Sequence, residues 1–279
     1  MREMTQEAQR LGDRTRHSDW LDHAIRAGLV AYGVVHLLIA WLALQLALGD
    51  QSGKASSQGA MHQLAQQPFG EVLVWAVAIG MFLLVLWRLL EAFLGHRDEE
   101  GGKRLRKRLT SGLKAVLYGT IGVSALQVAT GAGGSSGGGS KGSGSDSTTA
   151  KLMDLPAGQW IVAAVGLAII GYGANLVRRG WTEKFAEHLD AEGRSGDTGR
   201  AYLLFGKVGH VAKGLAIGVV GGLFVYAGVT HESKKSGGLD VALHQVLEQP
   251  FGPFLLAAIA VGIGCYGVFC FARARHLSR

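Results

Sequence analysis

Tyr32 and His36, Lys114 and Tyr118, and Lys213 and Ile217 form three pairs at i and i+4, the spacing that puts two side chains on one helix face. Two of these residues are lysines inside stretches otherwise almost free of charge. An ionisable group in such a place is a functional candidate by default, because a charge is expensive to hold among apolar groups. Arranged about a common axis, Tyr32, Lys114 and Lys213 meet at one depth. Arg26, Arg108 and Lys207, nearer the helix ends, then deepen a basic vestibule suited to an anion or a lipid headgroup. The competing reading is that both lysines snorkel to the interface on their apolar stems, and their shallow depth favours it.

The remaining chemistry-bearing residues are sparser. His36 and Tyr118 complete their pairs, while Tyr172 and Tyr266 follow the small residues Ala168 and Gly262 by four positions and read as interhelical hydrogen bonders. Arg88 and Glu91 read as an interfacial pair at i, i+3. Gln45 and Gln127 lie at the other end of their helices. His62 and His244 match each other, but no cluster of carboxylates or thiols accompanies them, so no metal site is expected. Cys265 and Cys270 are five apart on one helix and cannot bridge without distorting it. The apolar stretches hold no GxSxG, no HExxH, no phosphate-binding GxxxxGK[ST] and no carboxylate pair. No catalytic residue and no cofactor is expected, and an enzyme is the minority reading.

The elements that must position these side chains are long apolar runs. They cover 27–48, 72–90, 113–130, 160–177, 208–229 and 254–272 of the 279 residues, and only 18% of the chain is charged. Each run, at about 1.5 Å per residue, spans the roughly 30 Å of a hydrocarbon core. A soluble bundle would carry polar stripes at a period of 3.6, and these runs are apolar nearly all round. The first run lies behind 26 mostly polar residues and is too long for a cleaved signal core. The net charge of +7 is concentrated in the N-terminal segment, in the loops after the second and fourth runs, and in the tail. That pattern marks the cytoplasmic side of the membrane, puts both termini inside, and removes the need for a nucleic-acid partner.

The chain also repeats itself. HQLAQQPFG from His62 returns as HQVLEQPFG from His244, and Pro68, Pro156 and Pro250 are each followed two residues later by glycine. The odd runs align from Arg26, Arg108 and Lys207; the even runs align from the three prolines. The expected fold is therefore all-α: a six-helix transmembrane bundle of three tandem two-helix repeats about a pseudo-threefold axis. The boundaries are a polar tail at 1–19, then repeats at 20–97, 103–186 (with a Gly/Ser linker at 131–145) and 202–276. Before each proline, a short segment with mostly apolar residues at i, i+3 and i+4 predicts an amphipathic helix on the outer surface, with Asp146, Asp240 and the matching Gln58 at its N-cap. Proline ends that helix and opens the next one. Residues 187–200 are polar and read as loose.

Small residues at matched positions, Gly33, Ala115 and Gly214, then Ala40, Gly122 and Gly221, allow close helix approach, as do Ala76 and Gly80, Ala164 and Ala168, and Ala258 and Gly262. Three hairpins, each with an odd helix like RAGLVAYGVV, a corner ending in QPFG and an even helix carrying GYG or CYG, resemble the bacterial membrane proteins grouped as domain-of-unknown-function family 1206. The second copy departs from the pattern, with Ala157 in place of phenylalanine and the long linker before its corner. The resemblance implies a multi-pass membrane fold and carries no activity with it. The favoured function is structural or accessory, organising lipid or other membrane proteins. A solute or ion pathway, or binding of an anionic lipid along the axis, is the alternative.

Overall fold

The computed structural model describes residues 19–50, 55–94, 101–131, 157–232 and 238–277. The tail before residue 19, nearly all of the Gly/Ser linker, and the second outer segment with Asp146 and Pro156 lie outside the described residues. The long helices are α1 (Asp19–Ala47), α3 (Gly70–Leu94), α4 (Gly101–Ala129), α5 (Gly158–Trp181), α6 (Gly196–Thr230) and α8 (Gly252–Arg275). Short helices α2 (Ser57–Ala65) and α7 (Leu239–Leu247) precede two of the corners. All six long helices are long and apolar enough to cross a membrane. Among the described residues there is no strand, only an isolated bridge between Leu189 and Leu277.

The six long helices form a ring in the order α1, α3, α4, α5, α6, α8 and back to α1. Two kinds of seam alternate around it. In one, each odd helix packs on the even helix of the neighbouring repeat: α1 on α8, α4 on α3, α6 on α5. The odd-helix small-residue stripes lie in these seams, whereas Gly80 and Gly262 face the odd helix of their own hairpin. A Cβ on Gly33 would sit 2.9 Å from the carbonyl oxygen of Gly267, and one on Gly173 or Gly214 only 2.6 Å from the other's carbonyl oxygen. In the second kind, the two helices of one hairpin pack on each other, α1 on α3 and α6 on α8. Between α4 and α5 that seam is open among the described residues, where the two helices scarcely touch. The ring is threefold in its neighbours but not in its closure.

The half of the ring nearer the corners is filled by a continuous apolar core that includes Val35, Ile39, Leu46, Met61, Val74, Met81, Leu243 and Leu256. The apolar faces of α2 and α7 contribute to it, with Ala60, Met61, Ala242 and Leu243 all fully buried. Their caps differ from expectation. Ser56 caps α2, its Oγ accepting from the Gly59 N–H at 3.2 Å, so Gln58 falls inside the helix. Gly238 precedes α7, and Asp240 in the first turn accepts instead from the Ala55 N–H at 2.9 Å, tying the first repeat to the third.

The corners need a second correction. Pro68 and Pro250 do not open the returning helices; Gly70 and Gly252 do. Between proline and glycine the chain passes through a left-handed residue, Phe69 or Phe251, each at φ 61°, and Ala157 at 63° holds that place in the second copy. Gly70 donates to the Gln67 carbonyl at 2.7 Å and Gly252 to that of Gln249 at 2.7 Å. A Cβ at either glycine would collide with the last carbonyls of the preceding short helix. Pro253, the fourth proline, is the one in a first helical turn, where its missing N–H costs nothing.

Residues 187–200 are not loose. Short 3₁₀ turns at Lys184–His188 and Glu192–Arg194 fold across the basic end of the ring, burying Phe185 and Leu189. Asp190 fixes them: its N–H donates to the His276 carbonyl at 3.0 Å, and its Oδ1 lies 3.2 Å from His276 Nδ1 and accepts from the Gly193 N–H at 2.7 Å. Their polar composition misled because a few apolar anchors and one carboxylate are enough to dock a short segment.

Candidate functional site

Between the apolar core and the 3₁₀ turns the ring encloses a cavity of about 60 Å³. At about 12 Å³ per water position, it holds about five water-sized groups. Its walls carry four cations, Arg88 from α3, Lys114 from α4, Arg179 from α5 and Arg273 from α8, with Tyr118, Tyr172 and Asn175 between them. Tyr32 and Tyr266 lie at the inner end, and Phe185, His188 and His210 at the basic end.

The inner end is built by two repeats. Lys213 Nζ on α6 donates to Tyr32 OH at 2.6 Å and lies 2.9 Å from His36 Nε2, both on α1. His36 Nδ1 lies 2.8 Å from the Tyr32 carbonyl, which can only accept, so Nδ1 carries the hydrogen and Nε2 receives the lysine proton. The ammonium also lies 4.0 Å from the Tyr266 ring centroid and 4.7 Å from that of Tyr32. Lys213 is thus held inside the ring and does not turn out to the interface. Tyr32, Lys114, Tyr118, Tyr172 and Tyr266 all line the one cavity, and Lys213 with His36 stands directly behind it.

Arg26, Arg108 and Lys207 do not line the cavity. Arg26 donates to the Arg275 carbonyl at 2.8 Å, Arg108 to the Phe93 carbonyl at 3.1 Å, and Lys207 lies 3.4 Å from Glu183 and 5.6 Å from the Trp181 ring centroid. Phe93, Trp181 and Arg275 are equivalent positions of the three even helices, so each residue clamps the start of an odd helix to the end of the even helix beside it. They close the end of the ring instead of deepening a vestibule.

Two of the cations that line the cavity, Arg179 and Arg273, are hidden in the charge count. Glu91, Arg179 and Arg273 share one position of the repeat, seven residues beyond Leu84, Tyr172 and Tyr266, and therefore on the same helix face two turns on. In the charge pattern the two arginines read as markers of membrane orientation; their shared column with the tyrosines is the signal that sets them apart. Arg88 is paired with Glu91, as its spacing implies, but it is only 4% exposed, and the Glu91 carboxylate also accepts from Ser111 Oγ at 3.1 Å. Arg88 Nε, Arg273 Nε and His188 Nδ1 are buried with no hydrogen-bond partner. Burial, then the charges of Arg273, Lys114, Arg179 and Arg88, push the His188 imidazole down to about 3. His210 is held with Nδ1 2.7 Å from the Gly206 carbonyl and stacks on Phe185 at 4.8 Å. No group of three His, Cys, Asp or Glu residues that could hold a metal occurs among the described residues.

The family model named Domain of Unknown Function (DUF1206) matches at residues 27–95, 110–183 and 208–276. The chain belongs to the DUF1206 family. Its three matches coincide with the three hairpins of the ring, each beginning just inside an odd helix. Along 254 residues, 90% of this chain and 89% of the other, it is 26% identical to "Uncharacterized protein YxxB" of Bacillus subtilis (strain 168). No solved structure matches the chain. The chain is thus a multi-pass membrane protein with three tandem hairpins, which surround a cationic chamber.

Proposed function

We propose that this protein binds a small oxyanion, of the size and charge of phosphate, in the chamber at the basic end of the ring. The carrying observation is the convergence of Arg88, Lys114, Arg179 and Arg273 on a cavity of about 60 Å³, with Arg88 Nε, Arg273 Nε and His188 Nδ1 buried without partners. Among the described residues no carboxylate lines the chamber, and Glu91, beside Arg88, is engaged by Arg88 and Ser111. Buried guanidinium groups in such a setting are compensated best by an oxyanion that accepts several charge-assisted hydrogen bonds.

A continuous pathway across the membrane is less well supported, because the corner half of the ring is filled by apolar side chains. The arginine-rich end faces the cytoplasm in this reading, on the strength of its charge. Binding is tested by the thermal stability of purified protein in mild detergent against rising inorganic phosphate. A stabilisation that grows with ligand concentration supports the site. Its persistence unchanged in an Arg179→Gln/Arg273→Gln variant would remove it. Labelling of Ser195→Cys by an impermeant thiol reagent from outside intact cells would refute the orientation.

A further inference from the structure

The open seam between α4 and α5 has a cause written in the repeat. In the first hairpin, α1 meets α3 through Gly28 and Gly80: a Cβ on Gly28 would lie 2.7 Å from the Gly80 carbonyl oxygen, and one on Gly80 2.7 Å from Ala31 Cβ. The third hairpin repeats this with Gly209 against the backbone of Tyr266 and Gly262 against Ala212. At the equivalent positions the second hairpin has Thr110, Leu113 and Ala168 in place of the paired glycines and alanine. Backbones that approach so closely in two hairpins cannot do so with larger residues at all three positions.

The chamber borders the seam. Lys114 and Leu117 line the chamber from α4, and Tyr172 and Arg179 line it from α5. Leu117 is also 39% exposed, so its apolar surface continues outward from the cations. The other routes are obstructed among the described residues. The apolar core fills the corner half, Phe185 and His188 stand under the basic end, and the other five seams are packed. Arg179 lies two residues from the end of α5, in the last turn of a helix long and apolar enough to cross a membrane.

We propose that the chamber receives the phosphate of an anionic glycerophospholipid, which enters sideways between α4 and α5 and leaves its acyl chains along that seam. This rests on the oxyanion reading above and adds the ligand class and its route. A free phosphate presents the same oxygens to the same cations, but a lipid alone needs a lateral opening bordered by apolar residues.

The experiment compares three full-length proteins purified in mild detergent: wild type, a seam-closing variant (Thr110→Gly/Leu113→Ala/Ala168→Gly) that copies the other two hairpins, and a chamber variant (Lys114→Gln/Arg179→Gln). Bound lipid is read by native mass spectrometry after exposure to equal phosphatidylglycerol and phosphatidylcholine, and stabilisation by inorganic phosphate is read separately. Wild type should retain phosphatidylglycerol at least tenfold over phosphatidylcholine. The seam-closing variant should lose at least tenfold of that retention while phosphate still stabilises it, and the chamber variant should lose both responses. Retention unchanged by seam closure, or no preference for the anionic lipid, overturns the lipid proposal and leaves the oxyanion site standing if phosphate still binds. Absence of both responses in wild type overturns both. Should the triple variant fail to fold, phosphatidylglycerol with a photoreactive acyl chain decides the route in wild type. Labelling concentrated on α4 and α5 supports it, and labelling spread over all six helices refutes it.

Discussion

Gly173 on α5 and Gly214 on α6 face each other so closely that a Cβ on either would fall 2.6 Å from the carbonyl oxygen of the other. Gly33 and Gly267 repeat the relationship between the first and last long helices at 2.9 and 3.0 Å. These contacts set how tightly the ring closes, because lipid supplies no hydrophobic drive between helices and association depends on backbone approach.

Gly214→Val should therefore destabilise the purified protein by about 1–3 kcal/mol, the usual cost of overpacking, and more if the helices cannot shift. Gly218→Val on the same helix, where an added Cβ meets nothing within 4 Å, should be nearly neutral. Thermal melts in one detergent check the contrast. Equal losses at the two positions would contradict the close seam.

Lys213 satisfies two acceptors at once, Tyr32 OH and His36 Nε2. Lys213→Met should cost about 1–3 kcal/mol, the penalty for a buried polar group left without its partner. Adding Tyr32→Phe and His36→Leu should cost less than the sum of the separate changes, because the stranded acceptors go with them. A mutant cycle measures this coupling, and strict additivity would show that the three side chains do not act together.

His188 predicts a pH dependence with a definite sign. Its imidazole ordinarily titrates at 6.5 and is pushed down to about 3 in the folded protein. Between these values the unfolded chain binds a proton that the folded chain refuses, so folding stability falls as pH drops from about 6.5 towards 3. Above about 6.5 both states are neutral and the contribution vanishes. His188→Gln should flatten this part of the stability curve, and an identical acid slope in the variant would exclude His188 as its source.

At the corners, Gly252→Ala should be strongly destabilising, since its Cβ would collide with the end of α7. Phe251→Gly should stabilise by a few tenths of a kcal/mol. It relieves a left-handed non-glycine residue, worth about 1–2 kcal/mol, against an added unfolded-state entropy of about 0.4–1 kcal/mol. Phe251 is 78% exposed, so little packing is lost. Melting temperatures of the two variants, moving in opposite directions, are the measurement.

The helices, their number and the repeat were legible because hydropathy and spacing act locally along the chain. The chamber was legible only in part. Tyr32, Lys114 and Lys213 stood out because they interrupt apolar stretches, whereas Arg179 and Arg273 merged into the basic segments beside them and needed the repeat columns to be seen as one level. Which seam stays open was also present in the sequence, at Thr110, Leu113 and Ala168. Its meaning required knowing that Gly28 and Gly209 press against their own hairpin partners, a pairing that composition does not reveal. The role of Asp190 depended on where His276 ends up, 86 positions along the chain, and no local pattern points there.

The bond from Arg26 to the Arg275 carbonyl makes neighbours of the first and last long helices. Order along the polypeptide and order around the ring are therefore separable. A circularly permuted gene that joins residue 277 to residue 19 and begins in the Gly/Ser segment would keep every packed seam. The break in the covalent chain would then fall between α4 and α5, the two neighbours that scarcely touch among the described residues.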